Sequence, residues 1–133
     1  MKATVLDSYA VIAYLERETG HDEVAKIFEE CVTKDREVFV CVVNWGEVIH
    51  HALRAGGETT ATLAEDAMRA LPLQIVEANK ELTLQAARLK AANRMSYADC
   101  FAAALALKKK CELVTGDKEF RQIEGDIKIR WMR

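Results

Sequence analysis

Residues 98–107 include Ala98, Phe101, Ala102, Ala103, Ala104, Leu105, Ala106 and Leu107, with neither Gly nor Pro among them. A helix that is apolar almost all round has no face to give to water, so it must lie buried between other elements. That requirement constrains the fold more than any other feature of the chain. Ser96-Tyr97-Ala98-Asp99 opens the run with a helix-start signature, which places Asp99 in the first turn. After the basic exit of Lys108, Lys109 and Lys110, residues 111–115 read as a short strand, and Gly116-Asp117 turns the chain into a short helix. One carboxylate therefore begins a buried helix, and the next ends a buried strand.

The rest of the chain supplies layers to bury that helix. Residues 3–6 form a β-prone run ending at Asp7-Ser8, and residues 9–15 continue with helix-compatible spacing. Val24, Ile27, Phe28, Cys31 and Val32 fall on one face of an amphipathic helix. Residues 38–43 are a continuous apolar run suited to a strand buried on both faces. Asn44-Trp45-Gly46-Glu47 repeats the helix-start pattern, with Asn44 as the cap and Glu47 three residues on. The helix it opens turns Val48, Ile49, Ala52 and Leu53 inward and ends at Gly56-Gly57. A further helix over 58–71 offers Leu63, Ala67, Met68 and Leu71, and Pro72 stops it. Residues 73–76 are the next short strand, and Asn79 opens a helix through Leu82, Ala86 and Leu89. Gly125-Asp126 makes a turn, after which Ile127, Ile129 and Trp131 alternate with Lys128 and Arg130 as a closing edge strand. Strands separated by helices predict an α/β fold, one domain over residues 1–133, with a mainly parallel sheet of four or five strands flanked by helices.

Composition narrows the setting. A chain of 133 residues that is half hydrophobic is large enough for a real core. No apolar run is long enough to span a membrane and no stretch resembles a signal peptide, so the expected location is cytoplasmic. Cys31, Cys41, Cys100 and Cys111 show no C-x-x-C spacing and read as buried free thiols. The net charge of -2 argues against a protein that grips nucleic acid by bulk charge. Yet Arg88, Lys90, Arg94, Lys108, Lys109 and Lys110 give residues 77–110 a basic excess, either as a solvated helix face or as a patch facing phosphates.

In a parallel sheet the functional crevice lies at the carboxyl ends of the strands. Asp7 and Asp117 follow strands, while Glu47 and Asp99 stand in first helical turns, so all four can point to that edge. Singly, each acid is explained as a helix cap or a capping-box member. Gathered together, each close pair would repel by about 1 to 4 kcal/mol across effective dielectrics from water to a protein surface. A divalent cation resolves the repulsion. Oxygen ligands without His or Cys favour Mg²⁺ or Mn²⁺, and the chemistry that follows is hydrolysis of a phosphodiester by metal-activated water.

The motifs V-L-D-S-Y, N-W-G-E, S-Y-A-D-C-F-A-A-A-L-A and V-T-G-D-K-E-F resemble, in order and spacing, those of PIN-domain nucleases. The chain looks most like the VapC-type ribonuclease toxins of toxin-antitoxin pairs. The resemblance implies a metal-dependent endoribonuclease acting on single-stranded RNA, with Asp7, Glu47, Asp99 and Asp117 as its catalytic and metal-binding acids. It implies that Thr115 supports them through its hydroxyl and that Glu119 adds an outer carboxylate. A homodimer and a cognate antitoxin whose peptide fills the groove are implied as well.

Rival readings remain at this point. Glu47 with His50 and His51 offers half of a carboxylate-histidine metal site, but no second Glu-x-x-His exists to complete it, so both His read as surface or interface residues. Phosphatases of the haloacid dehalogenase type resemble Asp-x-Asp at the first strand, whereas here Asp7 precedes Ser8-Tyr9. A non-catalytic RNA-binding or protein-interaction domain is the alternative from another class, since acids alone do not prove turnover. Trp45, Tyr97 and Phe120 read either as base-stacking platforms or as core.

Overall fold

The structure is a computed structural model that describes residues 2–33 and 35–133. Its centre is a five-stranded, all-parallel sheet in the order β3-β2-β1-β4-β5. The strands are β1 (Lys2–Leu6), β2 (Arg36–Cys41), β3 (Leu73–Val76), β4 (Glu112–Thr115) and β5 (Ile129–Trp131). The helices are α1 (Ser8–Leu15), α2 (His21–Thr33), α3 (Val42–Arg69), α4 (Lys80–Ala92) and α5 (Tyr97–Lys109), with a short 3-10 helix at Lys118–Ile123.

Strand periodicity divides the core into two layers. Successive side chains of a strand point to opposite faces, and the three inner strands obey this residue by residue. Val5, Phe39, Cys41 and Leu113 pack with α4 and α5, while Leu6, Val38, Val40 and Val114 pack with α1, α2 and α3. The Ala-rich α5 meets its requirement here, since Cys100 to Ala106 are all buried. Small side chains let it lie close to the sheet on one side and to α4 on the other.

Some boundaries depart from the sequence reading. Strand β2 ends at Cys41, and Val42 and Val43 already form the first turn of α3. A continuous apolar run carries no mark of where a buried strand stops and a buried helix starts. Asn44 is therefore inside α3 and Cys41 occupies the cap position, without a side-chain hydrogen bond. The two helices expected over 44–71 meet at a kink, where Gly57 takes φ 74°. That left-handed value suits glycine alone among residues without strain. Val32 and Leu63, expected to face inward, are 79% and 64% exposed. Cys111 precedes β4, and Ile127 is buried just ahead of β5 rather than in it.

The amino edge of the sheet is closed by a buried polar network. Arg36 on β2 bonds Thr4 on β1, lies 3.3 Å from Glu112 Oε2 on β4, and reaches Glu30 Oε2 on α2 at 3.2 Å. The Thr4 hydroxyl donates to the same Glu112 oxygen at 3.0 Å. This network lies at the opposite end of the strands from the acidic residues.

Candidate active site

At the carboxyl edge, β1 runs straight into α1 through Asp7. Asp7 Oδ1 caps α1 by accepting the Ala10 N–H at 2.9 Å, and Oδ2 accepts the Thr115 hydroxyl from the neighbouring strand end. Thr115 Oγ1 in turn accepts the Asp117 N–H at 3.0 Å, so one hydroxyl fixes both strand-end acids. Asp117 Oδ1 caps the 3-10 helix through the Glu119 N–H at 3.0 Å.

Asp99 enters from the first turn of α5, where Ser96 Oγ accepts its backbone N–H at 3.1 Å. Glu47 comes from α3. Because α3 starts three residues earlier than the sequence implied, Glu47 sits in the second turn and takes no part in capping. Its Oε1 accepts from Asn44 Nδ2 at 3.1 Å, and the same amide nitrogen donates to the Ala98 carbonyl at 3.0 Å. Asn44 is fully buried and ties α3 to the start of α5, while its own Oδ1 has no hydrogen-bond partner among the described residues.

Burial and crowding both act on these carboxyls. Burial raises the Asp7 carboxyl to about 7, and the charges of Asp99 and Asp117 push the same way, against the hydrogen bonds from Thr115 and Ala10. Asp99 is also raised to about 7, by burial first and then by Asp117, Glu47 and Glu119, with Ser96 opposing. Without a metal, both acids hold their protons more tightly than a free carboxyl does.

Carboxylate oxygens of Asp99, Asp117 and Glu119 lie within 4.8 Å of one another, a group that could hold a metal ion. This donor set is all oxygen and its members repel, which is the chemistry a hard divalent ion fits. Glu119, expected as an outer carboxylate, is inside this group. Asp7 and Glu47 stand beside it and reach it through charge, Asp7 through its coupling to Asp99 and Asp117 and Glu47 through its coupling to Asp99.

Other expectations divide. Phe120 is fully buried and Trp45 packs partly buried in the core, so neither is a stacking platform, whereas Tyr97 is 45% exposed. His51 faces solvent and pairs with Glu16 at 2.5 Å, and His50 is exposed. The basic residues fall into two sets. Lys90 donates to the Met95 carbonyl at 2.6 Å, and the Arg94 backbone is clasped by Gln122, so this set borders the start of α5. Lys108, Lys109 and Lys110 stand at the far end of α5, about 15 Å from Asp99 along its axis.

The role of Asn44 as a tie between helices escapes the sequence reading, although an Asn three residues before Glu47 on a helix is a visible i, i+3 pair. The sequence offers Tyr9 only as part of a helical spacing.

A sequence profile of the PIN domain matches residues 4–126. By sequence alone the chain matches none of the curated proteins. Among solved structures, it resembles VapBC2 from Rickettsia felis bound to a DNA fragment from the promoter, with 14% identity, 98% of this chain and 99% of the other covered, and a TM-score of 0.77. DNA-bound VapBC from Salmonella typhimurium is similar at 18% identity, 98% of each chain and TM-score 0.75. VapC20 of Mycobacterium tuberculosis, a sarcin-ricin-loop-cleaving toxin, matches at 18% identity, 90% and 93% coverage and TM-score 0.70. At these identities the likeness is one of fold.

Proposed function

The chain belongs to the PIN domain family, a family of nucleases, and from that premise we propose that it is a Mg²⁺- or Mn²⁺-dependent endoribonuclease. Its substrate on this reading is single-stranded RNA, and its role is that of the toxin in a toxin-antitoxin pair. The observation that carries the proposal is the convergence of Asp7, Glu47, Asp99, Asp117 and Glu119 from separate elements onto one edge of the sheet, with Asp99, Asp117 and Glu119 in mutual reach.

Asp99, Asp117 and Glu119 would hold the ion, with Asp7 and Glu47 completing its acidic surroundings. When bound there, a divalent cation supplies Lewis acidity toward a phosphate oxygen and lowers the pKa of water. The remaining work belongs to side chains. Thr115 keeps Asp7 and Asp117 in fixed relative position, and Asn44 aims Glu47 while anchoring the start of α5. Without a metal, burial and the neighbouring charges raise the Asp7 carboxyl to about 7, and a cation held beside it would favour its carboxylate form.

The toxin assignment is supported by solved neighbours that are VapBC complexes. It brings with it an antitoxin partner, a homodimer and a cytoplasmic site of action. Cleavage of a single-stranded RNA oligonucleotide with Mg²⁺ or Mn²⁺, and none with chelator or with Asp99→Asn, is the expected result. RNA binding without any cleavage under either metal would replace this proposal with a non-catalytic RNA-binding domain.

A further inference from the structure

We propose that Tyr9 is a base-stacking platform that seats an unpaired nucleotide of the RNA beside the acidic cluster, held in place by Gly116. The inference rests on the ribonuclease reading for its substrate class, and on an independent contact for its geometry.

Tyr9 lies two residues after Asp7 in the first turn of α1, and its neighbour Ala10 is fully buried. Tyr9 itself is 48% exposed. Its ring rests directly on Gly116, the residue between Thr115 and Asp117. A Cβ at position 116 would overlap Tyr9 Cε1 and come within 2.7 Å of Cζ and 3.0 Å of Cδ1. Only glycine admits the ring at this distance. One side of the tyrosine is thus seated on the turn that carries Asp117, while much of the residue remains open to solvent.

Among the described residues, the Tyr9 hydroxyl has no hydrogen-bond partner and the ring has no aromatic neighbour. The other exposed tyrosine near the site, Tyr97, differs, since its ring lies 5.1 Å from that of Phe101 at a tilt of 38°. A core role would bury the Tyr9 ring and a capping role would bond its hydroxyl, and neither holds. A fixed aromatic surface beside a phosphate-directed acidic cluster is what an unpaired base can stack on. A base inside a duplex has both faces covered by its stacked neighbours, so Tyr9 selects single-stranded substrate.

The test compares wild type, Tyr9→Phe and Tyr9→Leu, each first shown to melt as wild type does. Binding to a single-stranded RNA oligonucleotide is measured by fluorescence anisotropy in chelator and with Mg²⁺, and cleavage is followed separately with Mg²⁺. A set of oligonucleotides carries an abasic site at each position in turn. Tyr9→Leu is expected to weaken binding by about 5- to 150-fold, with Tyr9→Phe binding as wild type. One abasic position should weaken wild type and leave Tyr9→Leu unmoved. Equal binding by wild type and Tyr9→Leu, or equal sensitivity of both to every abasic position, overturns the proposal. Absence of cleavage with the binding pattern intact removes the ribonuclease reading and keeps the platform. Absence of any RNA binding by wild type overturns both.

Discussion

The Thr115 hydroxyl donates to Asp7 Oδ2 and accepts the Asp117 N–H, so a single oxygen at the end of β4 couples the carboxylates that follow two neighbouring strands. Groups that orient metal-binding residues in this way typically account for about 10- to 100-fold in metal affinity or activity. Thr115→Val keeps the shape and removes the hydroxyl, and the expected outcome is a loss of that size in RNA cleavage and in Mn²⁺ affinity. Thr115→Ser should retain most of both. Cleavage kinetics and metal titration of the two variants check it, and wild-type behaviour of Thr115→Val would remove the coupling role.

The separation of the basic residues gives a second prediction. Arg88, in the second half of α4, and Arg94, between α4 and α5, are exposed, while Lys108, Lys109 and Lys110 stand at the far end of α5. Neutralising Arg88 and Arg94 together should weaken RNA binding and flatten its log-log salt dependence by roughly 0.7 for each phosphate that is no longer neutralised. Neutralising Lys108 and Lys110 should leave that slope unchanged. The reverse pattern would place the RNA path along the amino edge of the sheet.

What the sequence discloses follows from the range of the interaction involved. Asp99 was legible because Ser96 and the apolar run behind it are a local helix-start pattern, and Asp7 and Asp117 because strand ends are local too. A mainly parallel sheet of four or five strands followed from short apolar runs alternating with helices, and the structure has five, all parallel. The start of α3 did not, since Val42 and Val43 suit a buried strand and a buried helix equally. Lys108 shares a basic stretch with Arg88, Lys90 and Arg94 in the sequence, but α5 carries it to the end opposite Asp99. The place of Glu119 in the tight group and the seating of Tyr9 on Gly116 depend on contacts between segments or on a turn's three-dimensional shape, which no periodicity encodes.

A third prediction separates fold from site. Arg36 is buried and bonded to Thr4, Glu112 and Glu30 at the amino edge, away from the acidic cluster. Removing one member of a buried charged network leaves the others unpaired and costs about 3–5 kcal/mol. Arg36→Ala should therefore lower the denaturation midpoint strongly, while the folded fraction at low temperature keeps wild-type metal affinity. Chemical denaturation and metal titration together read the two effects. An unchanged midpoint would show that Arg130, 3.7 Å from Glu112, compensates.

The last prediction distinguishes a helix cap from a metal ligand at Asp117. Asn caps helices about as well as Asp, so Asp117→Asn keeps the hydrogen bond to the Glu119 N–H and removes the charge. If Asp117 serves only as a cap, losing a favourable charge at a helix start destabilises the protein by about 0.3–1 kcal/mol. In the acidic cluster the opposite sign holds, because Asp117 is among the charges that raise both Asp7 and Asp99. A folded carboxyl raised from 3.8 to about 7 binds its proton more tightly in the native state than in the unfolded one. Its favourable contribution is complete below the unfolded value and is lost as pH rises through about 7. Metal-free wild type should accordingly melt at a lower temperature at pH 8 than at pH 5, and Asp117→Asn should recover part of the difference. Adding Mg²⁺ or Mn²⁺ at pH 8 should raise the melting temperature of wild type far more than that of the variant, since a ligand that binds only the folded state stabilises it by mass action. A lower melting temperature for metal-free Asp117→Asn at pH 8, with equal metal-induced shifts in both proteins, would leave Asp117 as a cap and take it out of the metal site.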